Sequence, residues 1–228
     1  MAIGARDSIL ASIRRSLGVT GEEAPRRKVV ADRLRDHPPG VIPARGQLPP
    51  AARIKLFITM IEAASATTQK LENAADVPAA VAAFLRAHNL PMAIRRGEDS
   101  RLAAMPWERE QTLEITTGPS IGNDLVAISH AFGAAAESGT VMLTSGRENP
   151  TTLNFLPDTH LVVVDAKDVA GDYETLWQRL REQFGPGRLA RNVNLITGPS
   201  RSADIEQTLI LGAHGPRRLH VMVIGEGE

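Results

Sequence analysis

Apolar residues near the start of the chain repeat at helical spacing. Ile9, Ile13 and Leu17 lie on one helical face, and the pattern stops at the next glycine. This spacing predicts a short amphipathic helix. The stretch that follows, residues 20–50, holds six of the 15 prolines and has little periodicity, so it predicts an extended arm. We expect this N-terminal helix and proline-rich arm, residues 1–50, to provide contacts with a second copy of the chain.

From residue 51 onward, helical and extended patterns alternate. The apolar positions that predict two helices are Ile54, Phe57, Ile58 and Ile61, and then Val77, Val81, Phe84 and Leu85. Short apolar runs predict strands at Ala66–Leu71, Met92–Ile94, Thr112–Thr116, Leu125–Ser129, Thr140–Thr144, Leu161–Val164, Val193–Thr197 and His220–Ile224. Further helices are predicted at Ala131–Glu137, Pro150–Leu156, Tyr173–Phe184 and Ser202–Leu211. Residues 51–228 are therefore expected to form an α/β domain of three layers, α/β/α, around a largely parallel sheet.

Composition narrows the classes of function. Lys plus Arg and Asp plus Glu both number 26, so no overall field favours nucleic acid or an anionic membrane. No run reaches the length of a membrane span, and the first residues are charged where a secretory segment would be apolar, so we expect a cytoplasmic protein. The chain has no cysteine, which excludes disulfides, a thiol nucleophile and an iron–sulfur cluster of its own. The histidines show no metal-ligand spacing, and we predict no metal site.

The segment around Gly198 is a candidate anion site. It follows a predicted strand and precedes a predicted helix, whose first N–H groups would point at the loop. Ser200, Arg201 and Ser202 would add hydroxyl and charge-assisted contacts. Asp204 is the candidate acid beside this loop. Ordinary capping of the helix by serine explains the same residues and stays open as the alternative.

Two other loops carry candidate chemistry. Glu137 stands before Ser-Gly and a strand, which makes it a candidate general base or nucleophile, beside a backbone that Gly139 keeps open to substrate. The alternative is a solvated boundary residue. His214, in a glycine loop with Gly215, is the histidine best placed to titrate. Three arginines lie near these loops: Arg147, Arg217 and Arg218. If the loops share one end of the sheet, these arginines would converge on an acidic ligand. The alternative is that they are solvated loop charges.

At these residues the chain resembles the LUD-domain family. The matching segments are Glu137–Leu143, Leu156–His160, Gly198–Glu206 and Gly212–Pro216, in this order along the chain. The resemblance implies a fold similar to the superfamily of isomerases and CoA transferases. It also implies a bacterial role in oxidising L-lactate to pyruvate with two partner proteins that carry iron–sulfur clusters. A chain without cysteine would be the cluster-free member of such a system.

Three hypotheses follow for the function. The leading one is a cluster-free subunit of a lactate-oxidising system that binds an anionic metabolite or cofactor, with Glu137, Asp204 and His214 as catalytic candidates. Its ligand-binding candidates are Gly139, Thr140, Ser145, Gly198, Ser200, Arg201, Ser202, Gly215 and Arg217. The second is a stand-alone isomerase-like or CoA-transferase-like enzyme acting on a phosphorylated or thioester substrate. The third is a non-catalytic assembly protein that uses its N-terminal region.

Overall fold

The computed structural model of the chain describes residues 4–202, 210–212 and 214–226. It divides into two compact units, Met1–Val41 and Ile42–Glu228. The helices are α1 (Ala5–Leu17), α2 (Ala24–Asp36), α3 (Pro50–Ala63), α4 (Val77–Ala87), α5 (Ser100–Ala103) and α6 (Tyr173–Phe184). The strands are β1 (Thr67–Leu71), β2 (Ala93–Arg96), β3 (Glu114–Thr117), β4 (Val126–His130), β5 (Gly133–Ala135), β6 (Thr140–Thr144), β7 (Thr159–Asp165), β8 (Val169–Ala170), β9 (Val193–Ile196), β10 (Arg201–Ser202), β11 (Ile210–Leu211) and β12 (Arg218–Ile224). Over the described ranges, no helix has the length and apolarity that crossing a membrane requires.

The first unit contains helices α1 and α2. The expectation of an extended arm over residues 20–50 is wrong for its first half, where α2 forms. Pro25 lies in the first turn, where a missing N–H costs little. Asp32 adds support along the helix through ion pairs with Lys28 and Arg35. Pro25 therefore starts this helix without interrupting it.

A six-stranded sheet forms the centre of the second unit, in the order β1-β12-β7-β4-β2-β3. Every described pairing between these strands is parallel. The central strands carry apolar runs, Leu161–Val164 and Val221–Ile224, as expected where both faces of a sheet are covered. The prediction of a mixed α/β fold with a largely parallel sheet is confirmed.

Alternate residues of the central strands enter two separate cores. Val162 and Val164 of β7 pack in the core that contains α3, whereas Leu161 and Val163 pack in the core that contains α4. The buried residues of these helices include Ile54, Phe57 and Ile61 on α3 and Val77, Val81, Phe84 and Leu85 on α4. The two helices predicted from these positions are confirmed.

A second sheet, in the order β8-β5-β6-β9, shares the α3 side of the domain. Leu176 and Leu180 of α6 pack on it. The helix predicted over Ala131–Glu137 is wrong, because this alanine-rich stretch contains β5. A Cβ at Gly133 would lie 2.8 Å from a methyl group of Leu176, so small residues here allow α6 to approach the sheet.

Two further helix predictions differ from the structure. The segment Pro150–Leu156 contains a 3₁₀ turn, Thr151–Asn154, in place of an α-helix. The helix predicted over Ser202–Leu211 is wrong at both ends, which form the antiparallel strands β10 and β11. Residues 203–209, between those ends, lie outside the described part of the chain. Arg201 and Ser202 therefore belong to a strand, and the loop before them does not run directly into a helix.

Candidate functional site

A cavity of about 250 Å³ opens where the loops after β9 and before β12 meet the start of β7. We call it the loop cavity. Its walls combine apolar strand residues with polar loop residues. The residues that line it are Asn154, Phe155, His160, Leu195, Ile196, Thr197, Gly198, Pro199, Ser200, Arg201, His214, Gly215, Pro216 and Leu219.

Ser200 ties the two loops together. Its N–H donates to the carbonyl of Pro216 at 2.9 Å, and its own carbonyl accepts from Gly212 N at 3.0 Å. Its hydroxyl oxygen accepts from the backbone N–H of His214 at 3.3 Å. These bonds hold Ser200 and His214 at one wall, although they are distant in sequence.

The last turn of α3 supports the other side of these loops. The guanidinium of Arg201 donates to the carbonyl of Ala64, the C-cap residue that follows α3. A cation is favourable at a helix C-terminus. Gly198 has φ +76°, and a Cβ there would overlap the Ala64 carbonyl. Gly139 has φ +67°, and a Cβ there would overlap the backbone of Met60 and Ile61. Both glycines therefore permit close packing against α3.

The floor of the cavity is a buried polar network between β4 and β7. The Ser129 hydroxyl donates to Asn149 Oδ1 at 2.8 Å, and His160 Nε2 lies 3.0 Å from the same hydroxyl. Asn154 Oδ1 lies 3.5 Å from it. Complete burial lowers the pKa of His160 to about 3, because the charged imidazolium has no solvent there. The imidazole is therefore neutral at physiological pH.

Five of the residues predicted from sequence line this one cavity. They are Gly198, Ser200, Arg201, His214 and Gly215. The sequence analysis named neither Asn154 nor His160 as a site residue. The signal for His160 was its position at the start of a buried apolar strand, where an imidazole needs polar partners.

Glu137 lies elsewhere, buried at the start of α6. Its Oε1 accepts a hydrogen bond from Tyr173 N at 3.0 Å, which satisfies the first N–H of that helix. It does not line the loop cavity. Gly139, expected to be open to substrate, faces the backbone of α3 instead.

Thr140 belongs to a cluster of hydroxyl groups behind the loop cavity. Its Oγ1 lies 2.6 Å from the Tyr173 hydroxyl and 2.5 Å from Thr197 Oγ1. The Ser138 hydroxyl donates to the same tyrosine oxygen at 2.7 Å. Since Thr197 lines the loop cavity, Thr140 supports its wall from the second sheet.

The other predicted residues do not gather on the loop cavity. Ser145 exchanges hydrogen bonds with Asn192 beside β9, and Arg147 forms an exposed ion pair with Glu98. Arg217 and Arg218 are exposed, and their backbone N–H groups donate to the Asp158 carbonyl. Ser202 pairs through its backbone in β10. Asp204 lies outside the described residues.

A second cavity, of about 390 Å³, lies at the carboxyl ends of β2, β4 and β7, and sequence reasoning missed it. Burial would raise the pKa of Asp99, but its bonds to Arg101 hold that pKa below the ordinary value. Burial, aided by the charge of Arg101, lowers the pKa of His130. Burial and the charge of Asp165 raise the pKa of Asp168. His130 is the last residue of β4, and Asp99 and Asp168 lie shortly after the ends of β2 and β7. Polar residues at the carboxyl ends of strands are a signal that the sequence did contain.

In the ranges that the structure describes, no three His, Asp or Glu residues are grouped so that they would hold a metal ion.

Comparison by sequence gives three findings. The family model of the LUD domain matches residues 54–224. Lactate utilization protein C of Geobacillus thermodenitrificans is 35% identical over 127 residues, which cover 52% of this chain and 53% of that protein. The protein of the same name from Geobacillus kaustophilus is 34% identical over 134 residues, covering 55% and 56%. The chain thus spans about half the length of these curated relatives.

A crystal structure of a DUF162 family protein from Deinococcus radiodurans is similar in fold. It aligns with a TM-score of 0.57 at 21% identity, covering 78% of this chain and 99% of that one. At this level of identity the likeness concerns the fold alone.

Proposed function

This chain belongs to the LUD domain family, and on that premise we propose that it serves lactate utilization by binding a small carboxylate in the loop cavity. Two of its relatives carry the name lactate utilization protein C. The cavity volume of about 250 Å³ suits a ligand of a few heavy atoms. In this proposal, lactate itself is the ligand.

The observation that carries the proposal is the meeting of Ser200, Arg201 and His214 at one cavity wall. A guanidinium presents several N–H donors in one plane and pairs well with a carboxylate. Among the described residues, Arg201 donates to one backbone carbonyl, that of Ala64. In this proposal, the other donors of the guanidinium bind the carboxylate of the ligand.

Electron transfer belongs to partner proteins in this proposal. The chain has no cysteine and hence no thiolates for an iron–sulfur cluster. Iron–sulfur partner subunits would accept the electrons when lactate becomes pyruvate, while this chain holds and orients the acid. Glu137, which bonds the first N–H of α6, supports the fold and does not act on the ligand.

Titration of the full chain with L-lactate, monitored by calorimetry and by NMR, tests this proposal. Arg201→Ala should weaken binding by about 10- to 100-fold, because a hydrogen bond to a charged group contributes about 1.5–3 kcal/mol. Arg201→Lys keeps the charge and should lose less. The matched control is Arg147→Ala, since this arginine pairs with Glu98 on the surface and lines neither cavity. Equal binding by wild type and Arg201→Ala, or no binding by wild type, would refute the proposal.

Helix α1 favours an additional role in assembly. Its apolar stripe is exposed, at 60% for Ile9, 49% for Ile13 and 61% for Leu17, and such stripes are typical of docking helices. Anaerobic affinity purification from lactate-grown cells should recover iron–sulfur partners with the full chain. Deleting residues 1–41 should abolish this recovery while the second unit stays folded. Recovery of the same partners by the shortened chain would contradict the assembly role.

A further inference from the structure

Two polar atoms in the floor of the loop cavity have no hydrogen-bond partner among the described residues. They are His160 Nδ1 and Asn154 Nδ2, and both residues are completely buried. Leaving one buried polar group unpaired costs about 1–3 kcal/mol. Both residues line the cavity, so a ligand in the cavity is the natural source of the missing partners.

The hydrogen-bond network defines which atom donates and which accepts. Asn149 Nδ2 faces the Thr144 carbonyl at 3.5 Å, which leaves Asn149 Oδ1 to accept the Ser129 hydroxyl proton at 2.8 Å. The Ser129 oxygen must then accept a proton from His160 Nε2, 3.0 Å away. A neutral imidazole with its proton on Nε2 has a lone pair on Nδ1. His160 Nδ1 is therefore an acceptor.

Asn154 supplies the complementary group. The Ser129 hydroxyl, which donates mainly to Asn149, also points at Asn154 Oδ1 at 3.5 Å. The Asn154 Nδ2 donor is the atom of this amide that has no partner among the described residues. The side chains of His160 and Asn154 thus converge on one serine, and each keeps one unused polar atom of opposite character. A hydroxyl group has the chemistry that matches both atoms, since it donates one hydrogen bond and accepts another.

We infer that His160 and Asn154 form a hydroxyl-recognition pair, and that the loop cavity selects a 2-hydroxycarboxylate over the corresponding keto acid or unsubstituted acid. This inference rests on the proposed function, because Arg201 is taken to hold the carboxylate. A keto oxygen accepts from Asn154 but presents a lone pair to the lone pair of His160 Nδ1. An unsubstituted acid leaves both atoms unpaired. The chain therefore binds the reduced acid and releases the oxidised product.

The test compares L-lactate, pyruvate and propionate as probes of the full-length wild-type chain. L-lactate should bind at least about 10-fold more tightly than either analogue, because a site built to bond a hydroxyl disfavours ligands that lack it. His160→Phe and Asn154→Leu should each reduce this preference. Thr159→Val is the matched control: Thr159 is buried beside His160 but does not line the cavity, so its removal should leave the preference unchanged.

Nitrogen NMR of the wild-type imidazole provides a readout that needs no variant. The Nδ1 resonance of His160 should move on addition of L-lactate and stay in place with propionate. Equal affinities for all three acids, with binding still lost in Arg201→Ala, would overturn the hydroxyl pair and leave the proposed function standing. Binding that does not depend on Arg201, or no binding of any acid, would overturn both the hydroxyl pair and the proposed function.

Discussion

Replacing His160 by glutamine removes a buried imidazole that should make the stability of this protein depend on pH. The pKa of His160 is lowered from 6.5 to about 3 by complete burial. Between these two values the unfolded chain binds a proton at this residue and the folded chain does not. Stability is therefore unaffected by His160 above its unfolded pKa, and it falls as the pH falls through this window.

The magnitude follows from the width of the window. One pH unit inside it changes the free energy of unfolding by about 1.4 kcal/mol per group. Going from the unfolded pKa down to about pH 5 should therefore cost about 2 kcal/mol through His160 alone. His220, whose pKa is lowered to about 4 mainly by burial, adds its own loss in wild type and variant alike.

Urea unfolding at about pH 7.5 and about pH 5, followed by circular dichroism, measures this contribution. The loss of stability between the two conditions should be smaller by about 2 kcal/mol in His160→Gln than in the wild type. Comparing the change in unfolding free energy between the two pH values cancels any loss of stability that the substitution causes equally at both. Thr159→Val, a buried neighbour without a titratable group, should keep the wild-type difference. If His160→Gln keeps it as well, the imidazole is solvated or charged in the folded protein, and the reasoning is wrong.

Three further substitutions test how the site is supported, each by urea unfolding with a lactate titration beside it. Gly198→Ala should cost about 2–4 kcal/mol and weaken lactate binding, because it combines a left-handed φ with overlap at the Ala64 carbonyl. Asp172→Ala should cost about 1–2 kcal/mol with lactate affinity kept, because its carboxylate caps the start of α6. Glu137→Gln keeps an oxygen for Tyr173 N and should change neither quantity strongly. Lost lactate binding with unchanged stability in Glu137→Gln would instead restore an acid/base role.

The main sheet was predictable because its strands carry their own signal. Strands buried on both faces, such as β7 and β12, read as continuous apolar runs whatever their neighbours are. Strand β5 gave no such signal, because its residues are Gly-Ala-Ala, small enough for α6 to pack closely. Alanine favours helix when no partner is present, and pairing with β6 overrides that preference. Helix α2 was missed because prolines were taken as a sign of extended chain.

The loop residues of the site were predictable, because polar residues beside glycines stand out in the sequence. Ser200, Arg201 and His214 were found because they stand beside glycines between apolar runs. The helix expected after Gly198 was wrong at both described ends, so the anion contacts now rest on side chains. The contacts in the polar floor were not predictable from sequence. Asn154 and His160 are brought together only through Ser129, and the parallel pairing of β4 with β7 places Ser129 close to His160.

The wall and the floor of the loop cavity have separate effects on binding: Arg201 in the wall sets the affinity, and His160 with Asn154 in the floor sets the selectivity. The charge of Arg201 acts on every carboxylate alike, so its loss should lower all affinities and keep their ratio. His160 acts only on the hydroxyl, so His160→Phe should remove the ratio while the affinity for pyruvate stays the same or rises. Asn154→Leu should also weaken pyruvate binding, because the keto oxygen loses its bond to Asn154. Misfolding lowers all affinities together and changes no ratio. A collapsed preference with retained pyruvate binding in His160→Phe would therefore identify His160 as a contact of the ligand and not merely as a support of the fold.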